Sequence, residues 1–318
     1  MLCHDIANQE RIQFFMYETD VSGAVKSFIY QSMIWKPKCS IVFADVFVPG
    51  DMQVPDGYPI IALDGVQPIL CPPPRQVEAI RYLSRYGHGS TELIVARYLE
   101  GLFTDYNATI TEWSESETSK WIDQFSVDNP LKCLLIFQDK RGDLLSSNFI
   151  QSIDQIEKDI PMAGGAFDRV WYNVKGNKCS ECQSALITIA FSGRNIEAAS
   201  LVLNKHEESS TKQKLLDFRE SLKFNPDKES DSDYTIGFIF DGSSGVGFWD
   251  DYKNIGLLNF IDGVFPKVAF TGTTVYDGYV RDILRTRCLD SSDPSYSDCD
   301  LAMDVNLVLI HFGQEVIS

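Results

Sequence analysis

The sharpest chemical pattern in the sequence is the pair Cys179 and Cys182, separated by two residues. A structural zinc site needs four ligands, usually supplied by two such pairs, and neither a second pair nor a pair of histidines completes the set. A redox pair would open a helix after a strand, whereas this one lies in a polar run before a strand. Reduced loop cysteines are therefore the favoured interpretation, with metal and redox sites as alternatives. The sequence predicts no metal ion and no cofactor.

A glycine-rich loop, Asp241–Gly247, follows an apolar strand and precedes a possible helix. Such a context can cradle phosphate. The loop lacks the Lys-Ser/Thr ending of a P-loop, and its first residue is acidic, so a tight strand-to-helix turn is the simpler interpretation. Contact with a ligand or protein partner is the alternative.

Two aromatic residues, Phe248 and Trp249, follow this loop, and aromatic side chains often anchor protein interfaces. They could equally be core residues at a helix start. A second glycine-containing step occurs at Gly164 and Gly165. The candidate binding residues are therefore Asp241, Gly242, Ser243, Ser244, Gly245, Gly247, Phe248, Trp249, Gly164 and Gly165.

The sequence contains no residue pattern that indicates catalysis. None of the four histidines stands beside a serine or cysteine in a nucleophile-elbow pattern. His311 follows an apolar strand, which favours a structural histidine over a general base. No group of acidic residues has the spacing of a metal site. We expect this chain not to be an enzyme.

Charge and composition exclude several classes of partner. The sequence of 318 residues has 28 Lys and Arg against 45 Asp and Glu, a net charge of −17, which disfavours nucleic acids and anionic membrane surfaces. No apolar run approaches the roughly 20 residues that cross a bilayer. Eight cysteines without a secretory signal indicate reduced thiols, with Cys39 and Cys133 buried. We expect a cytoplasmic or nuclear protein.

Short apolar segments rich in β-branched and aromatic residues predict ten strands, and fewer segments have helical spacing. The predicted strands are Ile12–Tyr17, Cys39–Phe47, Glu92–Tyr98, Ala108–Trp113, Lys132–Phe137, Leu186–Phe191, Ala198–Leu203, Tyr234–Phe240, Lys267–Thr271 and Val305–His311. The predicted helices are Val21–Met33, Ser147–Glu157, Thr211–Leu222 and Trp249–Gly263.

Two stretches, Cys133–Asp168 and Thr235–Gly278, repeat the same order of strand, glycine-containing loop, helix, proline and strand. A predicted hairpin precedes each copy, in Glu92–Trp113 and in Leu186–Leu203. The order predicts an α/β fold of mixed α+β type, with two pseudo-repeated halves whose mixed sheets stack and carry helices on their outer faces.

Several short stretches resemble the FIST family, named for F-box and intracellular signal transduction. The likeness to its C-terminal region lies in Ile187–Arg194, Thr235–Phe240, the Phe265-Pro266 step and Leu307–Gly313. Asp128–Leu131 and Ala163–Asp168 fit the N-terminal region in order. The resemblance implies an N-terminal FIST-like domain over residues 9–178 and a C-terminal one over 183–313.

The resemblance implies binding without catalysis. In F-box members of the family this region recruits the protein substrate of an SCF-type (Skp1–cullin–F-box) ubiquitin ligase, which leads to proteasomal degradation. Bacterial members are regarded as small-molecule sensors in signalling, which is the alternative function. Sensor members carry Cys and Arg in the loop that corresponds to Asp241–Gly247, where this sequence has neither, so protein recruitment is favoured. Residue 1 of this sequence falls near the start of the FIST-like region, which leaves no room for an F-box of roughly 40 residues, so the F-box was lost or lies outside this chain. We therefore expect this chain alone to make no direct contact with Skp1.

Overall fold

A computed structural model describes part of the chain. The described residues are 12–18, 39–44, 60–64, 68–71, 89–95, 106–112, 125, 127, 130–139, 160–173, 186–194, 196–204, 208–227, 234–242, 252–275 and 304–313. The predicted helices Val21–Met33 and Ser147–Glu157 lie outside them, as do Cys179 and Cys182. Within the described ranges, no helix is both long enough and apolar enough to span a membrane.

The described residues form strands and two helices. The strands are β1 (Ile12–Glu18), β2 (Cys39–Ala44), β3 (Ile60–Asp64), β4 (Pro68–Cys71), β5 (Gly89–Val95), β6 (Tyr106–Glu112), β7 (Leu131–Asp139), β8 (Met162–Phe167), β9 (Arg169–Asn173), β10 (Leu186–Gly193), β11 (Ile196–Asn204), β12 (Tyr234–Asp241), β13 (Ala269–Thr274) and β14 (Asp304–Phe312). The helices are α1 (Glu208–Ser221) and α2 (Tyr252–Val264). All ten predicted strands are confirmed, and β8 is the strand that the repeat pattern expects after Pro161; β3, β4 and β9 were not predicted.

The strands form three mixed sheets. Sheet I has the order β1-β5-β2-β3-β9, sheet II the order β6-β10-β7-β8, and sheet III the order β11-β14-β12-β13-β4. In each sheet the first three strands in this order are antiparallel neighbours, and the third pairs in parallel with the fourth. Helix α2 joins the parallel strands β12 and β13. At this level the α/β class is confirmed.

The two predicted hairpins are wrong. Strands β5 and β6 lie in different sheets, and so do β10 and β11. At the end of β10, Gly193 has a φ of 127°, a conformation that favours glycine, and its N–H donates to the carbonyl of Pro130 at 2.9 Å. The chain therefore passes from sheet II to sheet III at this glycine instead of folding back onto β10. The predicted domain boundary at 178–183 lies between β9 and β10, and β10 pairs with β6 and β7.

Sheets II and III pack against each other through aromatic side chains. The ring centroids of Phe137 and Phe240 lie 6.1 Å apart, and those of Phe191 and Phe312 also lie 6.1 Å apart. Strands β7, β8 and β10 are buried along nearly their whole length, as expected for strands covered on both faces. The contact between the two sheets is therefore part of the protein core.

Helices α1 and α2 cover the other face of sheet III. Leu215 and Phe218, three residues apart on α1, are buried with Ile261 and Val264 of α2 against strand side chains such as Leu307. An exposed hydrogen bond of 2.7 Å between Gln213 and Asp217 supports the opposite face of α1. Sheet III is thus held between a helical layer and sheet II.

Candidate functional site

Three connections leave sheet III at one end. Strands β12 and β13 run parallel, with Asp241 opposite Thr274, and the N–H of Val275 donates to the carbonyl of Asp241 at 2.8 Å. Strand β14 begins at the same place, because Val305 lies opposite Asp241. We call this end of the sheet, marked by Asp241, Val275 and Val305, the loop end.

Strand β7 of sheet II ends on the same side of the two packed sheets as the loop end of sheet III. Phe137 lies two residues before the end of β7 and Phe240 one residue before the end of β12, and their rings are in contact. Phe191, two residues before the end of β10, contacts Phe312, the last residue of β14, and these strands run antiparallel to β7 and β12 respectively. The carboxyl ends of β7 and β12 therefore lie together, and ligands of open α/β sheets bind outside such carboxyl ends.

The candidate residues from the sequence are divided between two sheets. Asp241 and Gly242 are buried at the loop end. Since Phe240 faces sheet II and side chains alternate along a strand, Asp241 lies on the helix-covered face of sheet III. Gly164 and Gly165 belong to β8 of sheet II, which packs on the opposite face of sheet III from the Asp241 side chain. The other candidates, Ser243, Ser244, Gly245, Gly247, Phe248 and Trp249, lie outside the described residues.

Backbone packing explains the glycine at position 164. Gly164 has a φ of 137°, and a Cβ there would lie 1.9 Å from the carbonyl oxygen of Ile136 on the paired strand. Gly272 of β13 has the same relation to Ile239, with a distance of 1.7 Å. Each glycine lets its strand approach the neighbouring backbone closely. At both positions the structure of the sheet itself requires the absence of a side chain.

Sequence reasoning missed three buried polar residues near the loop end. Thr273 and Asn306 are fully buried on either side of Phe240 in the sheet register, so both lie on the face toward sheet II. Asp139 is 2% exposed and follows Phe137 by two residues, which places it on the face of β7 toward sheet III. The only signal in the sequence was a polar residue within or just after an apolar run.

Asn306 differs from most buried amides. Neither its Nδ2 nor its Oδ1 has a hydrogen-bond partner in the part of the chain that the structure describes. A buried polar group left unpaired costs about 1–3 kcal/mol of stability. A buried amide without a hydrogen-bond partner calls for an explanation, and a role in binding would provide one.

His311 and Cys133 are structural groups. His311 is 8% exposed; its Nδ1 lies 2.9 Å from the hydroxyl of Thr235, and Phe224 stacks on its ring at 5.0 Å. The interpretation of His311 as structural is consistent with these contacts. Cys133 is fully buried, as predicted, and burial raises the pKa of its thiol far above the ordinary value because the thiolate loses its hydration. Neither group is placed to act as a nucleophile or base.

The described residues contain no group of three or more His, Cys, Asp or Glu side chains that could hold a metal ion. Known proteins add no identification, because no protein-family model matches this chain and no curated protein sequence matches it. The geometry of the loop end is therefore the basis for a functional proposal.

Proposed function

We propose that this chain is a non-catalytic protein-recognition module of the FIST type, similar to the substrate-binding part of F-box only protein 22. In this proposal it acts in the cytoplasm or nucleus and recruits a protein substrate to an SCF-type ubiquitin ligase for degradation. The observation that carries the proposal is the loop end, where connections from sheets II and III begin side by side on buried strands. Binding residues concentrate on loops that a rigid scaffold positions.

The packing beneath the loop end supports a protein partner over a small ligand. Phe137 contacts both Phe240 and Phe167, the latter with ring centroids 5.8 Å apart, and Phe240 stacks on Phe238 at 6.3 Å. These rings occupy the space between the sheets at this end. A partner would therefore bind the connections outside the core, and the net charge of −17 favours a basic segment on that partner.

The test is affinity purification of the tagged full chain from cells, compared with two single variants. We expect a substrate to be recovered with the unchanged protein, together with Skp1 and a cullin held through a further component of the ligase, since direct contact with Skp1 is not expected. Trp249→Ala should weaken substrate capture by about 2 kcal/mol, roughly 30-fold, if Trp249 is an interface anchor. The matched control is Leu216→Ala, because Leu216 is 40% exposed on α1 and its loss should change neither capture nor melting.

Two results would count against the proposal. Recovery of neither Skp1 nor a cullin would remove the link to the ligase. A Trp249→Ala variant that loses about 3–5 kcal/mol of stability and still captures its substrate would make Trp249 a core residue.

Asn306 favours a second candidate function, the sensing of a small polar molecule in intracellular signalling. Among the described residues its amide donor and amide acceptor have no partner, and the register places them on the face toward sheet II, next to Phe240 and Thr273. Native mass spectrometry of the chain purified from cells tests this function. A bound molecule that is present on the unchanged protein and absent from Asn306→Val would support sensing, and identical spectra without a bound mass would argue against it.

A further inference from the structure

Sheets II and III share one plan, so their corresponding positions can be compared. In both sheets a glycine of the fourth strand lies against a carbonyl of the third strand: Gly164 against Ile136, and Gly272 against Ile239. Strand β7 therefore corresponds to β12, β8 to β13, and β10 to β14. A residue that changes character between corresponding positions is not required by the plan of the sheet.

The comparison is most informative around one phenylalanine in each sheet. In sheet II, Phe137 follows the carbonyl that the glycine meets, and its neighbours in the register are Ile187 of β10 and Gly165 of β8. Neither neighbour has a polar side chain. Phe240 holds the corresponding position in sheet III, but its neighbours on β14 and β13 are both polar.

These polar neighbours are Asn306 and Thr273, and both are fully buried. Sheet II has the same plan without polar side chains at these positions, so the fold does not account for them. In the part of the chain that the structure describes, neither the donor nor the acceptor of the Asn306 amide has a partner. Because buried polar groups are usually hydrogen-bonded, the Asn306 amide indicates a bound group that is not part of the described chain.

The strand of sheet II that faces this pair carries small residues. Strand β8 lies against β12 and β14. Phe137 contacts Phe240 across the sheets and pairs with Gly165, so Gly165 and the alternate residue Ala163 lie on the face toward sheet III. Neither has a side chain larger than a methyl group. The space in front of Asn306 is therefore bounded by small residues of β8 and by the ring of Phe240.

The charges at the loop end disfavour an anionic ligand. Strand β7 ends at Asp139, β12 ends at Asp241, and β14 begins at Asp304. Arg169 begins β9 directly after the end of β8, and Asp64 lies opposite it in the pairing of β9 with β3. A carboxylate or phosphate bound between the sheets at this end would be repelled by the aspartates, whereas an uncharged molecule would not.

We propose that Asn306, with Thr273 beside it, binds an uncharged small molecule through an amide edge, which is a carbonyl oxygen next to an N–H group. The Asn306 Nδ2 donates to the carbonyl oxygen of the ligand, and the Asn306 Oδ1 accepts from its N–H, so that both unpaired groups are satisfied. The apolar part of the ligand packs against Phe240. This assignment names the ligand class of the sensing function given above, and it rests on that function.

Matched pairs of small probes test the ligand class on the full-length chain. Benzamide and acetamide carry an amide edge, whereas benzoate and acetate have nearly the same shape with a carboxylate in its place. Ligand-observed NMR titrations measure the four affinities. We expect each amide to bind about tenfold more tightly than its carboxylate counterpart, because a carboxylate leaves the Asn306 acceptor unpaired.

Two variants locate the site of binding. Asn306→Val replaces the amide with an apolar side chain, and we expect it to abolish the preference for amides over carboxylates. The matched control is Ile187→Val, because Ile187 holds the corresponding position in sheet II. The control should keep the preference. Circular dichroism establishes that both variants are folded at the temperature of the titration.

Native mass spectrometry of the chain purified from cells provides a measurement that does not depend on the probes. A bound molecule that carries an uncharged amide group and is absent from Asn306→Val would support the assignment, whether or not the probes displace it. A bound acid or phosphate that is lost in Asn306→Val would overturn the ligand class, and sensing through Asn306 would stand.

Three other results would overturn the assignment. The first is equal affinity of the amides and their carboxylate counterparts, and the second is a preference for amides that persists in Asn306→Val. The third is the absence of any bound mass together with no binding of any probe, which would remove the sensing function as well.

Discussion

Replacing Gly272 by alanine is expected to damage sheet III more than any ordinary Gly→Ala change. A Cβ at this position would lie 1.7 Å from the carbonyl oxygen of Ile239, 2.6 Å from its carbonyl carbon and 2.8 Å from its nitrogen. A carbon normally approaches a carbonyl oxygen to about 3.3 Å, so the two backbones would have to separate by roughly 1.6 Å. All three contacts are with backbone atoms, so no side-chain rotation can relieve them.

The expected loss in the free energy of unfolding follows from the backbone hydrogen bonds between β12 and β13 that this separation breaks. Gly272 and Ile239 lie in the middle of the parallel pairing of β12 and β13. Each lost hydrogen bond costs about 1 kcal/mol, and each buried group left unpaired costs about 1–3 kcal/mol. We expect Gly272→Ala to lower the free energy of unfolding by about 3–5 kcal/mol. At about 2–4 °C for each kcal/mol, the melting temperature falls by roughly 10 °C.

Gly263 near the end of α2 is the matched control. A Cβ at Gly263 would meet no atom within 4 Å. Alanine there is expected to stabilise the helix by up to about 1 kcal/mol. Thermal unfolding of the two full-length variants, followed by circular dichroism, measures the difference. Melting of Gly272→Ala within about 1 °C of the unchanged protein, instead of the expected decrease of roughly 10 °C, would refute the argument from close backbone approach.

Three further predictions concern the core beneath the loop end. Phe240→Ala should cost about 3–5 kcal/mol in urea unfolding, whereas Leu216→Ala on the surface should stay within about 0.5 kcal/mol. Asn306→Val should melt at the same temperature as the unchanged protein or higher, since it removes an unpaired buried amide; a large decrease would mean that Asn306 has a partner. Cys133 should resist iodoacetamide until the chain unfolds. Because folding raises the pKa of its thiol, the free energy of unfolding keeps its full value below the ordinary thiol pKa of about 8.5 and decreases as the pH rises above it. Alkylation of Cys133 in the native protein at pH 8 would contradict the burial of this side chain.

The sequence was most informative about the strands, because apolar and β-branched residues report burial directly. All ten strands that the pattern predicted are present, and β7 and β12 were identified from runs of almost continuous apolar residues. The three strands that it missed, β3, β4 and β9, have only four or five residues each. Strand β8 reads Met-Ala-Gly-Gly-Ala-Phe, and its glycines belong there only because of the backbone of β7 across from them.

The sequence also predicted the buried character of Cys133 and favoured a structural role for His311. It could not assign the partners of His311, since Thr235 and Phe224 lie 76 and 87 residues away along the chain. The buried polar residues Thr273 and Asn306 were missed for the same reason: only the sheet register places both beside Phe240.

The pairing of neighbouring segments was the property that local pattern could not determine. Alternating strand and turn residues predict a hairpin wherever two strands are close in sequence, and they did so for β10 and β11. Gly193 instead directs the chain into another sheet, and β4 and β9 likewise pair far from the strands they follow. The sequence by itself determined most of the segments that are strands, because burial of apolar side chains is encoded residue by residue. Only the tertiary structure decided which strands pair and which residues meet at the loop end, because hydrogen bonds between backbones do not depend on residue identity.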